Sequence, residues 1–518
     1  MDLLISAGFY PPQRAHNGHF YLEVFFMRHE LSNQRSSLAT IATWAMFSRG
    51  LEPEFPSAVL HEVDQLQAAH PGPQDHLRDL TALPWCSLDN DDSRDLDQLT
   101  ACERLPQGGM RIFVAIADVD ALVKQGSAID AHARHNTTSV YTSARVFPML
   151  PNRLCTDLTS LNENEDRLAI VSQMDFNDQG VMVDSTLYRA VVRNKAQLAY
   201  DAISAWIEGE ADLPLVARRV EGMDQQLQMQ DALAQKLRVL RRAQGSLEFE
   251  TFQPRATFDG EKMTDIQQQP QNRGRQLIEE FMIATNGCTA RFLKSKGVAS
   301  LRRVVRSPER WLRIMQVASA YGVTLPNQPD GQALEAFLAQ QHQADPLRFP
   351  DLSLVIVKLM GSGEYVVEGT QDEPTGHFGL AVRDYMHSTA PNRRYPDLIT
   401  LRLVKAALAG VKMPYSTAEL KALALHCTEQ EDAAQKVERQ VRKSEAALLL
   451  HSRIGQSFNG VVTGNTDKGV WVRIFNPPAE GRLMGDMSAL RVGEQVHVRL
   501  VSTSVERGFI DFALERAH

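Results

Sequence analysis

The chain has 518 residues, with 43% hydrophobic and 23% charged residues and a formal net charge of −8. That length holds about two to four domains, and the ordinary composition excludes disordered, collagen-like and disulfide-scaffold classes. The acidic balance argues against a protein that coats polyanions with its whole surface, so phosphate contacts must rest on local groups of lysine and arginine.

Residues 35–70 read as helical: Leu38, Ile41 and Ala45, then Val59, Val63 and Leu66, recur at three- and four-residue steps, and Pro56 suits a helix first turn. Two short helices suggest either a winged helix-turn-helix unit that contacts nucleic acid or a purely structural helical cap. The segment HPGPQDH, through His76, reads as a linker that closes a domain over 1–80. Between Ser87 and Leu99 the chain reads SLDNDDSRDLDQL, which crowds Asp89, Asp91, Asp92, Asp95 and Asp97 into nine residues. Carboxylates so close repel one another, and a divalent cation or a phosphoryl-transfer site relieves that repulsion; the bland alternative is a solvated acidic loop. A calcium EF-hand loop is excluded, because Arg94 and Thr100 stand where it needs Gly and Glu.

RIFVAIADV (Arg111 to Val119) is apolar and β-branched, as a buried strand is, and a long mixed α/β region follows. Amphipathic helices are predicted near 225–243, 275–295, 308–321 and 417–453. Basic groups occur at Arg302, Arg303 and Arg306, at Lys236 to Arg242, at Arg393 and Arg394, and from Lys436 to Lys443. After Gly455 the texture is all-β: short strands separated by Gly, Asn, Asp and Pro turns. In KGVWVRIF, Val470, Val472 and Ile474 alternate with Trp471, Arg473 and Phe475. With the first set inward, the second forms an outer face suited to stacking bases and contacting phosphates; packing on a neighbouring domain is the alternative. Cys86, Cys102, Cys155, Cys288 and Cys427 are dispersed and odd in number, which fits a reducing cytoplasm rather than a disulfide framework or zinc site. No stretch has the apolar length of a membrane span, and the N-terminus lacks a signal-peptide layout.

Four separated stretches, SLDNDDSRDLDQ, SVYTSARVFPMLPNRLCTDLTSLNENEDRLA, LIEEFMIATN and GHFGLAVRDYMHSTAPNRRYPDLITLRL, resemble in order and spacing the catalytic (RNB) domain of the ribonuclease II and ribonuclease R exoribonucleases. The last 60-odd residues resemble the S-one type RNA-binding barrel of those enzymes. The resemblance begins near residue 80; the preceding segment lacks the aromatic-rich strands of the cold-shock barrels usual there. Joined to the helical reading of the first 80 residues, it implies a multidomain α+β protein: a small helical, winged helix-turn-helix-like domain over 1–80, a mixed α/β catalytic domain over 81–453 and a five-stranded OB-fold over 454–518.

The implied activity is processive 3′-to-5′ hydrolysis of single-stranded RNA to nucleoside 5′-monophosphates, with magnesium and with manganese able to substitute. The implied partner is single-stranded RNA, with no membrane; the expected setting is a cytoplasmic monomer. By the same resemblance Asp89, Asp95 and Asp97 hold the metal, and Gln98 stands where the family has a further acidic residue. Arg393 meets the scissile phosphate, and Tyr141 holds the terminal nucleotide. Phe249 stacks a base at the far end of the bound stretch, and Glu280 and Glu438 lie near the terminal riboses. Trp471, Arg473 and Phe475 complete the RNA-binding set. His377 and His387 read as structural. Two other readings stay open: an RNA-binding protein whose catalysis is impaired through Gln98, and a DNA-directed nuclease.

Overall fold

Two helices with apolar stripes, α1 (Gln34–Phe47) and α2 (Ser57–Asp64), are the first elements of a computed structural model. It describes residues 33–70, 77–249, 254–268, 271–346, 348–369, 372–373, 375–466, 469–485 and 490–515. The linker predicted at 71–76 and the first 32 residues of the predicted N-terminal domain lie outside them. Helix α1 buries Leu38, Ile41, Ala42, Ala45 and Met46, and α2 buries Val59 and Val63, the helical spacing read from sequence.

A seven-stranded mixed sheet follows. Its strands are β1 (Arg78–Asp79), β2 (Cys86–Asp89), β3 (Gln98–Arg104), β4 (Met110–Ala117), β7 (Asp166–Phe176), β8 (Met182–Arg193) and β9 (Ala196–Ala199), in the order β1-β8-β7-β4-β3-β2-β9. Helix α3 (Ala128–Asn136) and the hairpin β5 (Val140–Tyr141) and β6 (Val146–Phe147) lie between β4 and β7. The apolar run predicted as a strand is β4, buried continuously from Ile112 to Ala117 because both faces are covered. Pairs β1–β8 and β2–β9 are parallel and the others antiparallel.

Helices α4 (Tyr200–Ile207), α5 (Leu215–Arg218), α6 (Met223–Ala243) and α7 (Arg273–Ser295) are interrupted by the hairpin β10 (Pro254–Asp259) and β11 (Lys262–Gln268). Leu277, Ile278 and Phe281 of α7 share one core with the sheet residues Leu88, Val114 and Val171. After β12 (Ser300–Val304), helices α8 (Trp311–Ala320), α9 (Gly331–Ala344) and α10 (Phe349–Met360) close a separate core around Trp311, Phe337 and Phe349. Strand β13 (Glu364–Glu368) pairs with β12, and α11 (Tyr395–Ala409) follows a buried loop. Pro396 in its first turn and Gly410 at φ +65 just past its end are the start and stop signals expected of a helix. Helix α12 (Thr417–His451) opens on a capping box between Ser416 and Glu419.

Ala434, Val437 and Val441 of α12 pack on Ala42, Ala45 and Met46 of α1, and α2 shares the main core with α3. The apolar faces of α1 and α2 are thus spent inside the molecule. No wing strand accompanies the pair among the described residues. The described part of this segment packs as a cap on α12 and α3.

Strands β14 (Ser457–Thr466), β15 (Gly469–Ile474), β16 (Ala479–Leu483), β17 (Gln495–Ser504) and β18 (Phe509–Leu514) form a closed barrel in the order β14-β15-β16-β18-β17. Its core of Phe458, Val472, Val498 and Phe512 continues into Ala446, Ala447 and Leu450 at the end of α12.

Candidate active site

The C-terminal end of β2, the turn into β3, the hairpin β5–β6 and the loop before α11 meet at one point. Asp89 closes β2, and its Oδ1 accepts hydrogen bonds from the Asn90 N–H at 2.8 Å and the Ser93 hydroxyl at 2.9 Å. Asp97 immediately precedes β3 and is almost fully buried. Its Oδ1 accepts the Asn392 N–H at 3.0 Å, and its Oδ2 accepts the Arg393 Nε–H at 3.3 Å. The Tyr141 hydroxyl donates to Asp95 Oδ2 at 3.1 Å, and the Tyr141 N–H donates to Glu438 Oε1 of α12 at 3.1 Å. The sequence-predicted residues thus form two hydrogen-bonded groups, Asp97 with Arg393 and Asp95 with Tyr141 and Glu438, and Asp89 lies within electrostatic reach of Arg393 and Asp95.

The electrostatics follow from burial around a crowded charge set. Burial pushes the Asp97 carboxyl up to about 7; Arg393 pulls against that shift and Asp95 adds to it. Burial also raises Asp89, opposed by the Asn90 N–H, Arg393 and Ser93. Desolvation works against the Arg393 charge, although its side chain is 45% exposed, and Asp97, then Tyr141, Asp89 and Asp95, outweigh it and hold the guanidinium above its ordinary range. Negative charge is concentrated in a small volume, with Arg393 lying against Asp97. Beside the cluster opens a cavity of about 490 Å³ lined by Asp92, Asp95, Tyr141, Asn392, Glu438 and Arg442, among others.

The donors here are hard oxygens, and both hydrogen bonds to Asp89 fall on Oδ1, leaving Oδ2 for a cation. Among the described residues no three His, Cys, Asp or Glu side chains form a ready-made metal cage. Magnesium does not need one: it is commonly held by one or two carboxylates, with waters and substrate phosphate oxygens completing its shell. The set fits that kind of site. Gln98 heads β3 opposite Ile116 and is buried. No hydrogen bond ties its amide to the carboxylates among the described residues.

The remaining predicted residues are spread more widely. Glu280 is buried on α7 and paired with Arg241 at 2.5 Å, facing a different cavity. Phe249 packs against the α8–α10 core. In β15, Val470, Val472 and Ile474 point inward as the alternation predicts, but the outer face is not uniform. Arg473 is mostly buried and ion-paired with Asp351 of α10, tying barrel to helix, and it also lines the cleft that Trp471 lines. Trp471 lines a cleft of about 990 Å³ with Arg310, Arg313, Arg439, Arg442 and Lys443. Phe475 is exposed beside a small pocket near Asp351. His377 caps a short turn by accepting the Leu380 N–H, and His387 bonds the Tyr365 hydroxyl at 2.8 Å; burial lowers both, which keeps them neutral and structural.

Two site residues escaped sequence reasoning although they sit in the quoted motif APNRRYPD. Asn392 is buried and lines the cavity, its Oδ1 accepts the Thr159 hydroxyl at 2.5 Å, and its Nδ2 has no partner. Asp397 accepts the N–H groups of Thr389 and Ala390, each at 2.8 Å, and pairs with Arg394. It thereby holds the loop that carries Arg393.

The sequence matches the RNB domain family over residues 77–410 and the RNase II-type exonuclease C-terminal S1 domain over 456–515. It is 31% identical to ribonuclease R of Escherichia coli (strain K12) over 473 residues, which is 84% of this chain and 57% of that protein. Ribonuclease R of Aquifex aeolicus (strain VF5) is 29% identical, over 90% of this chain and 68% of its own length. The chain thus spans little more than half of the Escherichia coli relative. Among solved structures, Mycoplasma genitalium RNase R superposes with a TM-score of 0.83 at 21% identity, over 92% of this chain and 78% of that one. It is also known in complex with ribose-methylated single-stranded RNA. The yeast pseudonuclease Ssd1 shares the fold with a TM-score of 0.67 at 15% identity, over 88% of this chain and 56% of its own. Because the same fold occurs in a pseudonuclease, catalysis must be argued from the site residues.

Proposed function

The chain belongs to the RNB domain family, and from that premise we propose that it is a magnesium-dependent 3′-to-5′ exoribonuclease acting processively on single-stranded RNA and releasing nucleoside 5′-monophosphates. The observation that carries this reading is the hydrogen-bonded convergence of Asp97 with Arg393 and of Asp95 with Tyr141 beside one cavity. One or two of the carboxylates of Asp89, Asp95 and Asp97 would hold the cation, with waters and phosphate oxygens completing its shell and the Gln98 amide as a neutral neighbour. When bound, magnesium supplies Lewis acidity and charge neutralisation at the scissile phosphate.

The chain's own residues supply the rest. Asp97 orients the attacking water in line with the P–O3′ bond; the water oxygen bonds to phosphorus as that bond breaks, and the proton the water loses balances the one the departing O3′ takes up. Arg393 keeps its charge and lies against Asp97, so a phosphate drawn into the site meets a planar donor that offsets negative charge on the equatorial oxygens. The Tyr141 ring, half-exposed and tethered through its hydroxyl to Asp95, offers a face for the terminal nucleotide. Glu438 both fixes the Tyr141 backbone and lines the cavity, where a carboxylate accepting from a 2′-hydroxyl favours RNA over DNA.

The basic cleft between α8, α10, α12 and the barrel adjoins this cavity through Arg442 and supports a strand approaching along it. The reading is tested by chromatography of products from a single-stranded RNA. With magnesium it predicts nucleoside 5′-monophosphates from the first turnovers and no intermediate lengths; nucleoside 3′-phosphates or internal fragments would contradict it. The neutral Gln98 favours a second reading, an RNA-binding protein with weak or absent cleavage, and binding without any released nucleotide would establish that one instead.

A further inference from the structure

Helix α12 presents three faces in succession. Glu438, Arg442 and Glu445 face the catalytic cavity, and Arg439, Arg442 and Lys443 face the basic cleft. Lys436, Arg439, Gln440 and Lys443 face a third groove of about 870 Å³. Their spacing of three, four and seven residues puts that last set in one line along the helix. The opposite wall is α1 and the turn after it, through Trp44 and Arg49, and one end is closed by the β17–β18 turn and the start of β18, through Arg507 and Phe509. Arg442 is common to the first two spaces, and Arg439 and Lys443 to the second and third. The three spaces are therefore neighbours in succession around the helix, each sharing a wall with the next.

The third groove is lined by Arg49, Lys436, Arg439, Lys443 and Arg507 against the single carboxylate of Glu506, in a chain whose net charge is −8. Lys436, Arg439 and Lys443 have no carboxylate within ion-pairing distance among the described residues. Phe509 is 57% exposed at the rim. Concentrated positive charge against an acidic background, with an open aromatic ring beside it, is how a groove tracks a single strand: cations follow phosphates and the ring stacks a base without reading its identity. An acidic protein would satisfy the cations but would not account for a succession of spaces that ends at a catalytic cavity.

We propose that this groove holds the 5′ side of a single-stranded RNA whose 3′ end occupies the catalytic cavity, the strand crossing α12 at Arg439 and Lys443. The proposal rests on the exoribonuclease reading for the direction of the strand. It adds a function for α1: one wall of the path as well as a cap.

The test is fluorescence anisotropy on the full chain in EDTA with two labelled RNAs, of about 6 and about 24 nucleotides, bracketing the site size of one barrel. Wild type is expected to bind the long RNA at least ~10-fold more tightly, and Lys436→Glu and Phe509→Ala each to lose most of that gain. Both variants keep wild-type affinity for the short RNA, which also reports intact folding, and Lys436→Arg restores the length dependence. Unchanged affinity of both variants for the long RNA, or equal losses on both lengths, would overturn the proposal. Cleavage of the short RNA with magnesium keeps the two readings apart. If wild type leaves it whole while the length-dependent loss persists, the exoribonuclease reading fails and the groove stands.

Discussion

In the proposed mechanism Asp97 carries a conflict: a buried carboxylate that must be charged to hold a cation. Its acid form is held up to about 7 in the folded protein against an ordinary 3.8, so the folded state binds the extra proton across that window. Metal-free stability therefore falls as pH rises from about 4 to about 7. Asp97→Asn should melt above wild type at pH 8, with the gap closing toward pH 4, while cleavage drops roughly 100-fold or more and RNA affinity is retained. Retained turnover would remove Asp97 from the chemistry. His377 has the opposite sign: burial lowers it to about 4 from 6.5, so its contribution is complete above 6.5 and lost as pH falls toward 4. His377→Asn, which keeps a capping acceptor, should flatten the acid limb of a melting-temperature profile. Gln98→Asp is expected to lower the magnesium concentration for half-maximal rate several-fold; an identical titration would show that another ligand already fills that place. The carboxylates were legible because five in nine residues is a local signal. Asn392 was not, since an amide becomes informative only when burial leaves its Nδ2 without a partner.

At the scale of elements, the loop before α11 is held from below by Asp397. Asp397→Asn should cost stability on the order of 3 kcal/mol, as breaking a buried ion pair does, and should lower kcat more than it raises KM because Arg393 loses its seat. Equal melting temperature and rate would show that the loop needs no such anchor. The alternation of β15 was legible, and so was the barrel. The partner of Arg473 was not, because Asp351 lies on a helix far earlier in the chain and periodicity reports only which side faces inward. The α1 stripe carried the same ambiguity. Its spacing showed that a face was buried, and only the fold showed that α12 covers it. The Arg241 partner of Glu280 was hidden for a related reason: it lies on α6, and a motif on α7 does not report what packs against it.

Across the whole molecule, α12 organises the function. Its 35 residues carry Glu438 at the catalytic cavity, basic side chains along two further spaces, and the apolar end that seats the barrel. RNA affinity should therefore fall steeply with salt despite the acidic net charge, with a slope of about −0.7 per phosphate contacted in log–log form. Arg442→Ala, at the junction of cavity and cleft, should reduce that slope by about one contact, and an unaltered slope would take the strand elsewhere. The most direct test is a 5′-labelled single-stranded RNA and its DNA counterpart, each incubated with the protein in magnesium or in EDTA and resolved on a denaturing gel. The account predicts shortening of the RNA to a small labelled end product with magnesium only, and intact DNA throughout. RNA that remains full length with magnesium while still shifting in a native gel would contradict it.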